Sequence, residues 1–362
     1  GWERSGIAAG ERQERDAPVS SAGRRATLLY AVIGGGVLLV LPALLPAYPL
    51  ITLSYALIFS IACLGLNLLF GTTGLLSLGH AAYFGVGAYA GGFLYYFGPL
   101  TSLEVYLLAG VACSTALAAL LGALCVRATR IHFTILTLAF AQMVYSLFIN
   151  GAIFQPFGGV GKGLYLLGGG GLYIPRFSIL GTEVGPERFI PALYYVIVLA
   201  FLGSALLLWR ISRSPFGMAL RAIRDNDTRA AFVGLPVRRY RWYAFILSGV
   251  FTGLAGGLNG QLSRQITPEQ LDWLLSAQLV LMTVLGGSRH FLGPVIGAFA
   301  FGGLEDISLR WIGYRGLVLG FLLIALVFVA PGGLARGLST VVSALRAFPY
   351  SRQFKGSGDD GS

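Results

Sequence analysis

Charge is scarce in this sequence. Only 11% of its 362 residues are Asp, Glu, Lys or Arg, against roughly 25% in ordinary globular chains. A soluble fold of this size needs far more polar surface. That excludes a soluble enzyme, a secreted disulfide scaffold and a disordered chain. Cysteine is scarce too: Cys63, Cys113 and Cys125 all sit inside apolar runs. They show neither metal-ligand spacing nor a disulfide framework, and read as small buried hydrophobes. His80, His132 and His290 are too separated to mark a metal site, so neither metal nor cofactor is expected. A phosphate-binding loop is missing. Gly161-Lys162 is the only Gly-Lys pair, Gly163 follows where Ser or Thr is required, and Pro156 stands at the first Gly position. Carboxylates near the apolar segments are limited to Glu104, Glu305 and Asp306, each close to a segment end. An ion-coupled carrier usually needs an intramembrane carboxylate or an unwound-carbonyl site, which makes that class the weaker alternative.

What the chain has in abundance is apolar residue. Hydrophobic residues make up 56% and the mean hydropathy is +0.74. These values predict an all-α polytopic membrane protein. Spans are expected at about 27–45, 49–70, 75–97, 103–126, 131–154, 189–210, 242–262, 274–287, 291–304 and 315–331. The eighth and ninth are short. At 1.5 Å per residue, 14 residues cover only about 21 Å of a roughly 30 Å core, so some helices are expected to be short or broken. Ten spans with the N-terminus inside place all but six of the 26 basic residues in cytoplasmic segments. The six are Lys162, Arg176, Arg188, Arg264, Arg310 and Arg315. This is the positive-inside pattern, and it explains the net charge of +11 without nucleic acid. Residues 1–26 read as a polar cytoplasmic tail without a signal peptide, 27–335 as one membrane domain, and 336–362 as a second cytoplasmic tail. Segment 155–188 is expected outside, rich in Gly and with little regular structure.

Segment 211–241 is expected on the cytoplasmic side and is the most informative stretch. Ser214-Pro215 reads as an N-cap followed by Pro at the first helical position. A helix is predicted through Phe216 to Arg224. Asp225-Asn226-Asp227 then breaks it and caps a second helix from Thr228 to Val233, which Gly234 and Pro236 stop. Phe216, Leu220 and Ile223 share one face, and Arg221 and Arg224 face elsewhere. From spacing alone, an interfacial linker whose arginines touch anionic lipid and a docking element for a soluble partner are equally good readings.

Three ordered blocks carry a family resemblance. Gly65-Leu66-Asn67-Leu68-Leu69-Phe70-Gly71-Thr72-Thr73-Gly74-Leu75-Leu76-Ser77-Leu78-Gly79-His80 and its continuation to Tyr89 closely resemble the signature of Liv-type permeases. These are the membrane subunits of branched-chain amino acid ABC importers. The run Ser214 to Asn226, followed by Ala230-Ala231-Phe232-Val233-Gly234, resembles that family's coupling segment. Gly286-Gly287-Ser288-Arg289-His290 and its continuation to Ala298 resemble a third block. Phe232 departs from the pattern, where the family often has an acidic residue.

The resemblance implies a transport subunit of a bacterial or archaeal plasma (inner) membrane that is not itself an enzyme. The implied partners are a second, LivH-like permease, two ATP-binding subunits and an extracytoplasmic solute-binding protein. It further implies that Ser214, Pro215, Gly217, Arg221, Arg224, Ala230, Ala231 and Gly234 couple the chain to an ATPase. Branched-chain amino acids are the expected solute, with urea or short amides as the alternative. Polar groups in or beside an apolar core are costly unless paired or facing water, which makes Asn67, Thr72, Ser77, His80 and Asn259 the candidate path residues. The pairs Gly87/Gly91, Gly253/Gly257, Gly293/Gly297 and Gly316/Gly320 are expected to serve close helix packing.

Overall fold

The computed structural model describes residues 35–36, 38–42, 45–98, 102–128, 131–149, 171–179, 181–182, 185–311, 320–321 and 334. Residues 1–46 form a separate unit, helical at 35–36 and 38–42. The expected spans 27–45 and 315–331, both tails and the Gly316/Gly320 pair lie wholly or mostly outside the described residues. Among the described residues of the second unit, from Ala47 onward, the regular elements are helices apart from one two-stranded ribbon.

Its helices are α1 (Ala47–Asn67), α2 (His80–Phe97), α3 (Leu103–Cys125), α4 (Ile131–Ile149), α5 (Pro186–Arg213), α6 (Pro215–Asp225), α7 (Asp227–Phe232), α8 (Val237–Ser263), α9 (Trp273–Gly286) and α10 (Gly293–Trp311). Four candidate spans, Ala47–Thr72, Leu103–Cys125, Ile131–Ile149 and Pro186–Arg213, are long and apolar enough to cross a membrane. The chain is thus an all-α polytopic membrane protein. α1 is apolar on every side and is enclosed by other helices, with Leu57, Ile58, Ile61, Cys63 and Leu66 wholly buried. A helix apolar all round belongs inside. α3, α4 and α5 instead turn Leu108, Leu120, Ile131, Ile135 and Leu199 outward.

Small residues hold the centre. α8 packs on α1, α2 and α3. A side chain at Gly87 or Gly110 would strike the backbone of α8 or α2, and one at Gly256 would strike the Phe84 carbonyl. Absence of Cβ lets these helices approach backbone to backbone. Gly293 and Gly297 play the same part between α9 and α10.

The structure gathers the connecting segments at two ends. At one end, Gly71 lies beside Ser288, Gly74 lies beside Arg224, and Leu76 and Leu78 bond to Thr134 and Thr137 near the start of α4. At the other, Leu103 donates to the Ser178 carbonyl, and β1 (Leu172–Tyr173) pairs antiparallel with β2 (Gln265–Ile266), Leu172 opposite Ile266. This grouping agrees with the alternation expected for spans two to nine.

Regular structure described in segment 155–188 before α5 is limited to the two-residue β1; Leu172, Ile174 and Phe177 are buried there, and Phe177 packs on Tyr95 of α2 and Tyr106 of α3. Two expected boundaries need correction. α8 begins at Val237, five residues earlier than expected, because Arg241 is accommodated by an ion pair with Asp227. The ninth span, expected at 291–304, continues as α10 to Trp311. Asp306 is tolerated there because it accepts a hydrogen bond from the Tyr48 hydroxyl.

Candidate transport site and coupling helices

α1 does not stop cleanly. After Asn67 it loosens into a π-helical turn, Leu68–Thr72, and the chain then runs without helix until His80. π-turns often mark functional sites. The glycines in this block explain the break. Gly74 adopts φ +76°, a left-handed conformation that favours glycine.

The non-helical stretch is closely bonded to its surroundings. Leu75 N–H donates to the Leu69 carbonyl and Gly74 N–H to that of Phe70. The Thr73 hydroxyl donates to Leu68. From α4, the Thr134 hydroxyl donates to the Leu76 carbonyl at 2.8 Å, and Thr137 accepts from Leu78 N–H at 3.2 Å. Ser276 of α9 accepts from Ala81 N–H at 2.8 Å, meeting one of the orphan donors at the start of α2.

His80 is central to this network and is completely buried. Its Nδ1 lies 3.1 Å from the Ser77 hydroxyl, and its Nε2 lies 2.6 Å from that of Ser248 on α8. The Ser248 hydroxyl donates its one proton to the Gly65 carbonyl at 2.7 Å, so it accepts from Nε2–H. Nδ1 then accepts from Ser77, whose oxygen also receives Gly79 N–H. A neutral, Nε2-protonated imidazole satisfies every member of the chain. The network pins the break to α8.

Ser77 and His80 are therefore brought together, with Asn67 just before the π-turn and Thr72 its last residue. The Asn67 amide oxygen is buried without a partner. Asn259 stands apart, eleven residues beyond Ser248 on α8, roughly 16 Å along the axis. Gln261, which closes the expected seventh span together with Asn259, is buried with neither side-chain amide atom paired. Such a group costs about 1–3 kcal/mol, which makes it an additional candidate for contact with solute or water. Among the described residues, no cluster of ligating side chains suits a metal.

The second feature is the helix pair α6–α7. Ser214 caps α6 by accepting from Gly217 N–H, with Pro215 at the first helical position. Asn226 caps α7 by accepting from Arg229 N–H at 2.9 Å. The break thus falls on Asn226, and α7 starts at Asp227, one residue before the expected Thr228. Leu220, Ile223 and Ala230 are buried, and Phe216 stacks on Tyr240 of α8 with ring centres 5.5 Å apart. Gly217 lets α6 fold tightly against the Ile211 and Ser212 carbonyls. Arg241 fastens α7 to α8 through Asp227 at 3.1 Å. Gly234, at φ +88°, closes α7.

Two exposed arginines bond back to backbone carbonyls. Arg221 donates to the Ser212 carbonyl at 2.7 Å, and Arg224 donates to the Gly71 carbonyl of the π-turn. Both meet carbonyls in the final turns of helices, where acceptors lack intrahelical donors and cations are favoured. The exposed surface of the pair carries Arg221, Arg224, Asp225, Thr228 and Arg229, and ends in a short apolar run. Ala231 is exposed, and Phe232 and Val233 are 87% and 84% exposed.

Comparison with known proteins identifies the family. Residues 48–329 match the family described as branched-chain amino acid transport system / permease component. The chain is 28% identical over 291 residues to the high-affinity branched-chain amino acid transport system permease protein LivM of Escherichia coli (strain K12), covering 77% of this chain and 68% of that protein. It is 32% identical over 149 residues to a probable branched-chain amino acid transport permease protein, LivH, of Methanocaldococcus jannaschii, covering 39% and 46%. It is 27% identical over 124 residues to a guanosine ABC transporter permease protein, NupQ, of Bacillus subtilis (strain 168), covering 33% and 38%. No solved structure matches the chain. With a broken, hydrogen-bonded helix, a capped helix pair and a family match across most of its length, the chain belongs to the permease components of the branched-chain amino acid transport family and is a LivM-like permease of the ABC importer class.

Proposed function

We propose that the chain pairs with a LivH-like permease to form the path for branched-chain amino acids, with two separate ATP-binding subunits powering transport and an extracytoplasmic binding protein delivering the solute. The observation that carries this reading is the breadth of the similarity to LivM, which spans most of both chains, whereas the similarity to the guanosine permease covers a third of this one. The α6–α7 pair supports the coupling part. It is capped at both starts and offers an exposed Ala231-Phe232-Val233 tip suited to a groove in a soluble ATPase. In this reading the pair and both termini face the cytoplasm. Asn67, Thr72, Ser77, His80 and Asn259 lie along or beside the path, with His80 and Ser77 shaping its wall.

The test is uptake by the reconstituted importer. Labelled leucine, urea and guanosine are offered separately, and ATPase retention on the purified permeases is measured in parallel. Leucine uptake with bound ATPase is the expected result. Urea or guanosine uptake without leucine uptake would reassign the solute and leave the class intact. In the same system Ala231→Asp places a charge at an exposed position, so folding is preserved while ATPase association and uptake are lost. Full ATPase retention by that variant would refute the docking surface.

A further inference from the structure

The helix pair and the broken helix touch at one charged bond. In the π-turn after α1, the carbonyls of Leu68, Leu69 and Phe70 are met by groups within the turn itself, from Thr73, Leu75 and Gly74. The next carbonyl, Gly71, is met by the Arg224 guanidinium, from a residue 153 positions later in the chain. The aliphatic stem of Arg224 fills the space that a side chain at Gly74 would need, so the arginine grips the segment at two points three residues apart. From that segment, bonds run on to Thr134 and Thr137 of α4 and, through Ser77 and His80, to Ser248 of α8. Beside the grip lies a cavity of about 500 Å³, lined by Thr73, Gly74, Leu75, Arg224, Asp225 and Arg241 among others. It leaves room for α6 to shift against the segment.

We propose that Arg224 is the positioning residue that transmits movement of the helix pair to the non-helical segment 73–79. The proposal rests on the reading of α6–α7 as the ATPase docking element, but assigns Arg224 a role distinct from docking. A charge-assisted bond to a helix-end carbonyl is strong and directional. Arg224 therefore converts displacement of α6 into displacement of Gly71 and Gly74. The residues on either side of the His80 network follow.

The test uses the complete importer with Arg224→Ala, Arg224→Lys and Gly74→Ala. The last approaches the same grip from the other side, by crowding the arginine stem. The primary readout is amide hydrogen exchange at 73–79 with and without ATP plus vanadate, which requires no knowledge of the solute. The ATPase subunits should co-purify with every variant. Exchange at 73–79 should respond to nucleotide in the unmodified chain and in Arg224→Lys, and should cease to respond in Arg224→Ala and Gly74→Ala. Leucine uptake by Arg224→Ala should fall at least about tenfold, the factor that one charge-assisted bond supplies. If Arg224→Ala keeps the nucleotide response, the link is wrong while the docking reading stands. If Arg224→Ala loses the ATPases, Arg224 is itself a docking contact and the proposal is overturned. If the unmodified chain holds no ATPase, the docking reading fails and takes the link with it.

Discussion

Phe232 offers the most quantitative test of docking. Its ring is 87% exposed at the end of α7, so nearly its whole apolar surface is available to a partner. Burying a phenylalanine side chain that begins in water stabilises a complex by about 1.5–3 kcal/mol. Phe232→Ala removes that contribution and should weaken ATPase binding by about 10- to 150-fold. The permease itself should hardly notice, because exposed substitutions away from special features change stability by about 0.5 kcal/mol or less. The measurement is the Kd of the purified ATPase for the permease pair in nanodiscs, with thermal unfolding of the pair as the control. Phe232→Leu should retain most of the affinity, since it keeps an apolar side chain. An unchanged Kd for Phe232→Ala, with the pair correctly assembled, would refute the reasoning and return the ring to lipid contact.

Other expectations follow from the packing. Ser248→Ala deprives the buried His80 Nε2–H of its acceptor, and should lower stability by about 1–3 kcal/mol, read as an earlier thermal transition in detergent. His80→Leu breaks the link between Ser77 and Ser248, and should reduce uptake more than assembly; normal uptake would show that the network is dispensable for transport. Gly256→Val drives a side chain into the Phe84 backbone and should cost about 1–3 kcal/mol or more, seen as loss of folded yield. In a cysteine-free background, Thr228→Cys should react with an impermeant thiol reagent only from the cytoplasmic face, and labelling from outside would invert the topology.

The helix pair was legible because its signals are local. Ser214, Pro215, Asn226 and Gly234 act through bonds within a few residues of themselves, and the structure places the break within a residue of the expected position. The destination of Arg224 was not legible. Its acceptor is a backbone carbonyl 153 residues away, and nothing at position 71 distinguishes that carbonyl in the sequence. The burial of Leu172, Ile174 and Phe177 was hidden for a similar reason: they look like stray apolar residues until α2 and α3 supply the surface they cover. Phe232 stood out only as a departure from a family pattern, and its exposure gives that departure a physical use. His80 and Ser77 were recognisable as polar groups in an apolar setting, but Ser248 lies 168 residues from His80, so only the fold completes the chain of bonds.

The glycine contacts among α2, α3 and α8 have a consequence for how the protein moves. Most helix interfaces interlock through side chains that can change rotamer, and they accommodate sliding by repacking. Here backbone meets backbone at Gly87, Gly110 and Gly256, and at those points there is no side chain to rearrange. Close-packed interiors transmit displacement instead of absorbing it. Displacement of any one of the three helices is therefore expected to carry the other two, with adjustment left to the stretches at 73–79 and 264–272 where the α-helices are interrupted.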